Sequence, residues 1–330
     1  MLFPPYVCLP HCYYDPPFPP SKAFFTKVYY SLYRLSQMAY TQDQHKRNCV
    51  TVTHSDGSAI TVYEQGAHLT SWSVPTPTGL REVLYLSSTA VYKEGVALRG
   101  GVPLIFPQFG NRGPMSPSHG FARVRPWKIE SIAEGEATFS LRATLQEMSP
   151  EGLVVSDSDR NAVQLYYTIT FCKNKLRLGM RIVNMTSDAP LPFHFAFHSY
   201  FGVKEISNTI INGLNSTSYI NNLTADPKTV VLNPPQEVHI ISEEFDRIYK
   251  DQPSAIELVD ATTNKRIVNI ASTTLKDVVV WNPWIEKAKR FADMPDEDYH
   301  KFVCVEHGSI LQNDVLLPNG EWKAEQEIEL

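Results

Sequence analysis

Three separated stretches of this 330-residue chain hold side chains able to move a proton or hold an anion. Leu98 to Trp127, LRGGVPLIFPQFGNRGPMSPSHGFARVRPW, carries Arg99, Arg112, Arg123, Arg125 and His119 and no acidic residue. In a chain of net charge −5 that is a local positive field, which concentrates an anion. A guanidinium presents a planar fork of donors suited to phosphate or carboxylate, and Arg99 and Arg123 are the candidates for a two-fork clamp. A loop arginine taken alone is more often solvated or paired with a carboxylate elsewhere. Gly100 and Gly101, directly after Arg99, allow a sharp turn or a close approach of backbone to a ligand.

The second stretch, PLPFHFAFHSYFG over residues 190–202, places His194 and His198 four apart among aromatics. In a strand that even separation predicts one shared face. A lone histidine in such surroundings is most often a packed core residue; two in one strand favour a functional face, with an imidazole that titrates near working pH. The third stretch, FVCVEHG over 302–308, ends an apolar run at Glu306, whose carboxylate must be paired, protonated or poised as a base. Two further stretches read more blandly. Asp246 in FDRIY sits beside Arg247 and resembles a solvated loop, and DVVVWNPW over 277–284 is read mainly as structure, a strand ending in an Asn-Pro turn.

The elements that must position these groups are strands. Ala137, Phe139, Leu141, Ala143 and Leu145 alternate with polar residues, as do Val163 to Phe171 and Leu176 to Ile182, so that residues 163–183 read as a long hairpin. Further strands are expected near 50–54, 59–64, 69–74, 128–133, 209–213, 228–231, 255–259, 266–271, 277–281, 302–306 and 325–330. After residue 40 one helix stands out, Trp284 to Met294, with Ile285, Ala288 and Ala292 on one face. Many short strands with frequent Gly/Pro turns indicate an all-β, mainly antiparallel fold, a large two-sheet sandwich with few short helices.

Residues 46–330 read as one domain, preceded by an extension over 1–45 that is Pro-rich and then forms a short amphipathic helix within Ala23–Met38. Asp15 is the only acid in the first 42 residues, a bias compatible with organellar targeting; otherwise the extension is untargeted or translation starts at Met38. Five scattered cysteines suit a reducing compartment. Cys8, His11 and Cys12 offer a metal half-site with no second half at zinc-like spacing. The sequons at Asn184, Asn215 and Asn222 read as unmodified turns. A pI near 6.1 argues against nucleic acid, and no apolar run approaches the ~20 residues of a membrane span.

RGGVPLIFPQFG, SHGFARVRPW, FHSYFGV, DRIY, DVVVWNPW and VCVEHG, in this order, resemble the hexose-6-phosphate mutarotases, the glucose-6-phosphate 1-epimerase family of the galactose-mutarotase-like superfamily. The resemblance covers roughly residues 48–330. It implies a β-supersandwich that acts on a small sugar phosphate with no metal or cofactor. The chain is expected to be a cytoplasmic monomer, or organellar if the extension targets it, with neither membrane nor nucleic acid as partner. The resemblance also implies that His198 and Glu306 are catalytic and that Arg99, His119, Arg123 and Asp246 bind substrate. The implied reaction interconverts α and β anomers by acid–base ring opening and reclosure. Two positions depart from the family's pattern: Ser118 stands where Gln is common, and His307, where Pro or Ala is frequent, would alter Glu306 if it faced the same pocket. Two other readings are an aldose 1-epimerase for neutral sugars, with structural arginines, and a non-catalytic carbohydrate-binding sandwich, which needs no matched acid and base.

Overall fold

The alternation at 163–183 becomes a ribbon of two strands, Ala162–Cys172 and Lys175–Asn184, in which Cys172 pairs with Lys175 across a tight turn. Inward residues such as Leu165, Tyr167, Ile169, Leu178 and Met180 are buried, and their neighbours are half-exposed. The computed structural model describes residues 40–148, 162–215, 217–224, 230–232, 239–250 and 255–330. The helix expected within Ala23–Met38 and the Cys8/His11/Cys12 half-site lie outside the described residues.

The ribbon is the middle of a nine-stranded antiparallel sheet. Glu136–Thr144 and Lys128–Ala133 extend it on one side; Glu321–Glu329, Lys265–Ala271, Ala255–Asp260, Thr209–Asn212 and His239–Ile240 extend it on the other. A second sheet of eight strands runs in the order Val230–Leu232, Ser218–Asn221, Phe245–Tyr249, Asp277–Asn282, Phe302–Leu316, Leu191–Phe197 and Leu104–Ile105, with Tyr200–Gly202 also paired to Phe302–Leu316. The two sheets pack face to face, Phe197 against Tyr167 with ring centroids 6.1 Å apart and Phe195 against Trp322 at 5.3 Å. Each such buried aromatic is worth about 1.5–3 kcal/mol relative to exposure. Thr41–Gln42, Asn48–Thr53, Ala59–Tyr63, His68–Thr76 and Gly79–Glu82 form a third sheet, a meander in chain order. The fold is the all-β sandwich that the alternation predicts.

Two expectations change, those for the helix and for His307, and a third is refined. The helix expected over 284–294 is a single turn, Trp284–Ala288, with Ile285 exposed; bonds from Arg290 N to Lys287 O and from Phe291 N to Ala288 O tighten and end it, and Ala292 is exposed. His194 and His198 share the outer face, as the even count predicts, because Phe193, Phe195 and Phe197 turn inward onto Trp322 and Tyr167. The register shift between Phe193 and Phe195 places its extra residues in the partner strand, and the two histidines open into different recesses. His194 Nδ1 lies 3.4 Å from the amide of Phe109, and its ring lines a separate recess with Met115 and Leu191. His307 does not share the pocket of Glu306. Alternation along Phe302–Leu316 turns it toward the space between the sheets, where Gln326 Nε2 lies 2.9 Å from its Nδ1 and Ser199 donates to Gln326 Oε1 at 2.8 Å.

The loop that starts at Arg99 is laid directly on the meander. Gly101 N donates to Tyr85 O at 2.6 Å, Val102 N to Leu69 O at 2.9 Å, and the buried His68 ring holds Gly100 O at 2.7 Å. Gly101 has φ +61, and a Cβ there would collide with Leu69 O and stand 2.9 Å from His68 Nε2. Gly101→Ala is expected to lower unfolding stability by about 1–3 kcal/mol through backbone strain and this collision. Urea unfolding checks it; an unchanged midpoint and slope would show that the loop can stand off the meander.

Candidate active site

Facing away from the nine-stranded sheet, the eight-stranded sheet forms the floor of a cleft of about 1000 Å³. Cross-strand register explains its composition: Asp246 is opposite Trp281, Trp281 opposite Cys304, and Cys304 opposite Tyr200, so one row of four strands points one way. Glu306, two residues beyond Cys304 and opposite Val279, points the same way. Loops complete the walls. The structure thereby brings Arg99, His119, Arg123, His198, Asp246 and Glu306, six residues singled out from separate stretches, into this one cleft.

Glu306 Oε1 and His198 Nδ1 approach to 3.1 Å. The approach lacks hydrogen-bond alignment, and His198 Nδ1 and Glu306 Oε2 are buried without a partner. Glu306 is 2% exposed and His198 8%. Burial, and then the charge of Asp246, pushes the Glu306 carboxyl well above the usual carboxylate range, against the pull of Arg123. Burial, followed by His119, Arg123 and Arg99, holds His198 well below an ordinary imidazole. Both shifts favour the uncharged forms, a protonated carboxyl on Glu306 and a neutral imidazole on His198. The His198 ring is fixed by stacking on Tyr200, centroids 4.8 Å apart and planes 8° from parallel, and its amide bonds Pro103 O at 3.0 Å.

One wall is cationic. Arg99 lies 3.3 Å from Asp293 Oδ1, packs over the Phe291 ring at 4.2 Å and points Nη1 at Tyr200 Oη 3.5 Å away. Arg123, on a 3-10 helix of one turn, Ala122–Val124, donates from Nη2 to Ser118 O at 2.7 Å while its buried Nε has no partner. Burial, and then the charge of Arg99, bring the Arg123 guanidinium down to about 10, still charged at neutral pH. Ser118 thus supplies its carbonyl to hold Arg123. His119 Nδ1 accepts from Gly110 N at 3.1 Å, which leaves the proton of its neutral ring on Nε2. Burial and the two arginines depress His119 to about 3. Across the cleft, Asp246 accepts from Asn222 Nδ2 at 2.8 Å and lies 3.9 Å from Lys287 Nζ; burial raises its carboxyl.

Several lining residues escaped the sequence reading. Trp281, read as structure, carries a signal in hindsight, since it ends a buried strand one residue before the Asn-Pro turn. Tyr200 lies in the same stretch as His198, two residues on. Lys287, Phe291 and Asp293 come from the short helix and the loop after it, where nothing in spacing or composition marks them.

Comparison with known proteins agrees with this geometry. The aldose 1-epimerase family model matches residues 48–329. The chain belongs to the aldose 1-epimerase family. A protein of Cenchrus ciliaris provisionally named glucose-6-phosphate 1-epimerase is 33% identical over 270 residues, 79% of this chain and 78% of that one. One of Salmonella typhimurium with the same provisional name is 34% identical over 249 residues, 73% of this chain and 76% of its own. A crystal structure from Salmonella typhimurium, provisionally titled a mutarotase, superposes with a TM-score of 0.71 at 26% identity, covering 90% of this chain and 98% of that one. This chain is thus an epimerase with a galactose-mutarotase-like fold. No described helix is long and apolar enough to cross a membrane.

The epimerase buries imidazoles in the neutral form, which links its stability to pH. Burial puts His68 at about 4, and it likewise depresses His119 and His307 to about 3. Each folded value lies below the unfolded one near 6.5, so the unfolded chain takes up protons first as pH falls. The stabilisation is complete above about pH 6.5 and is lost below it by roughly 1 kcal/mol per histidine per pH unit; the raised Glu306 opposes this with the opposite sign. Unfolding midpoints of wild type and His307→Gln between pH 7 and 5 are expected to converge as pH falls. A constant gap would contradict the buried neutral state of His307.

Proposed function

We propose that this epimerase interconverts the α and β anomers of hexose 6-phosphates, chiefly glucose 6-phosphate. The observation that carries this reading is the cationic wall beside the proton-transfer pair. Arg99 and Arg123 face the cleft within electrostatic reach of His198, and the Arg123 Nε is buried with no partner. A dianionic phosphate suits two such forks, and a neutral sugar leaves the Arg123 charge uncompensated. The names of the relatives support the same substrate class.

In the proposed reaction the Glu306 carboxylate takes the proton of the C1 hydroxyl while His198 delivers a proton to the ring oxygen. The C1–O bond of the ring breaks, C1 becomes an aldehyde, and rotation about C1–C2 followed by the reverse transfers closes the other anomer. Each group is worth ~10²–10⁴-fold. Asp246 and His119 hold sugar hydroxyls, and Trp281 offers an apolar platform on the same floor. Phosphate also touches the electrostatics of the pair. Arg99 and Arg123 are among the charges that depress His198, and Arg123 also lowers Glu306, so neutralising the guanidiniums raises the basicity of both groups, of His198 through two charges and of Glu306 through one. Ring opening starts from the carboxylate–imidazolium form of the pair.

One observation favours the alternative of neutral sugars. Arg99 already has a carboxylate partner in Asp293, as a structural arginine would. Exchange NMR on glucose 6-phosphate and on free glucose separates the two. Acceleration of the phosphate sugar by at least ~10²-fold more than free glucose is expected, and equal acceleration would discard the clamp while keeping the proton chemistry. Arg123→Ala is expected to raise KM for glucose 6-phosphate, and an unchanged KM would remove Arg123 from the phosphate site. His198→Ala and Glu306→Gln are each expected to lower kcat by ~10²–10⁴-fold with sugar phosphate still bound; activity within a few-fold of wild type in either would end the assignment.

A further inference from the structure

Cys304 has no part in the reaction above, yet it stands beside both groups that do. Its register partners on either side, Trp281 and Tyr200, line the cleft, and in paired strands directly opposed side chains share a face, so the thiol points at the same floor as Glu306. The donor atoms of His198, Cys304 and Glu306 all lie within 4.8 Å of one another, and the three residues are buried. His198 Nδ1 and Glu306 Oε1 are already 3.1 Å apart. Ligands 2.0–2.3 Å from a tetrahedral Zn²⁺ stand roughly 3.3–3.8 Å from each other, so closure needs side-chain movement of about an ångström. His198 Nδ1 and the second carboxylate oxygen, Glu306 Oε2, are buried without a hydrogen-bond partner.

We propose that His198, Cys304 and Glu306 form an inhibitory site for a thiophilic divalent cation such as Zn²⁺, entered through the cleft and exclusive of catalysis because it consumes both proton-transfer groups. Imidazole, thiolate and carboxylate select zinc-like ions over Mg²⁺ or Ca²⁺, which prefer all-oxygen shells. The ion displaces the thiol proton and the carboxyl proton to solvent. The two anions formed offset its charge against the nearby guanidiniums, and water completes a fourth position. The binding half stands on geometry alone. The inhibitory half rests on the roles proposed for His198 and Glu306.

Co²⁺ is the probe for binding. Titrating the full chain with Co²⁺ is expected to produce a thiolate-to-cobalt charge-transfer absorption that survives Cys8→Ser/Cys12→Ser and disappears in Cys304→Ser. A band that follows Cys8 and Cys12, or no band, overturns the site whatever the enzyme's substrate. If Cys304→Ser does not fold, His198→Ala, which keeps the thiol, must weaken Co²⁺ binding, and undiminished binding overturns the assignment. For inhibition, Zn²⁺ is expected to slow anomer exchange where Mg²⁺ does not. Cys304→Ser is expected to keep the basal rate and shift half-inhibition at least about tenfold upward. Equal inhibition by Mg²⁺, or unchanged zinc sensitivity in Cys304→Ser, overturns the inhibitory role.

Discussion

A carboxylate on a central strand of a sheet, almost wholly out of water, is the constraint on which the rest of this structure turns. Desolvating a charge costs several kcal/mol unless something compensates it, and Glu306 feels the pull of Arg123 without forming an ion pair with any arginine or lysine among the described residues. Burial favours the protonated carboxyl, and the fold sets an imidazole 3.1 Å away as an alternative seat for the proton. His198 in turn is neutral because it is buried beside His119, Arg123 and Arg99. Burial is the largest cause of both shifts and the neighbouring charges add to it, so an anion entering the cleft perturbs the two groups together.

Rigidity comes from sheet geometry. The row from Asp246 through Trp281 and Cys304 to Tyr200 crosses four strands of one antiparallel sheet, whose opposite face packs on nine further strands. Strand register alone fixes which of these side chains meet. The loops contribute charge, and even they are pinned: Gln108 bonds Gly110 O at 2.8 Å and Met115 O at 3.1 Å, and Trp127 Nε1 bonds Ala122 O at 2.9 Å just before Arg123.

Much of this was legible in the chain because period-two alternation is a local signal, and so is an acid-free run of arginines. The six candidate residues lay in four stretches that were each identifiable by type, and the fold gathers them. What was not legible depends on nonlocal register and packing. His194 and His198 share a face, yet the loop from Pro107 to Met115 closes over His194 and leaves it in a recess of its own. The side to which His307 turns follows from its pairing with Phe197 and Val278, residues far away in sequence. Asp293 and Lys287 owe their places to a helix that stops after one turn, an outcome that apolar spacing does not encode.

The attachment of the Arg99 loop to the meander has a consequence for how the molecule opens. The proton-transfer pair sits on the eight-stranded sheet, whereas the Arg99 end of the cationic wall is tied by Gly100, Gly101 and Val102 to Leu69, His68 and Tyr85, on and just after the smaller sheet. Proteins open locally in cooperative segments of unequal stability. An opening confined to the meander would carry the anion-facing Arg99 away while Glu306 and His198 stayed in place. The cleft's affinity and its chemistry are thus written into two different parts of the local stability map, and slow exchange of the amides of Gly101 and Val102 would report on the first of them alone.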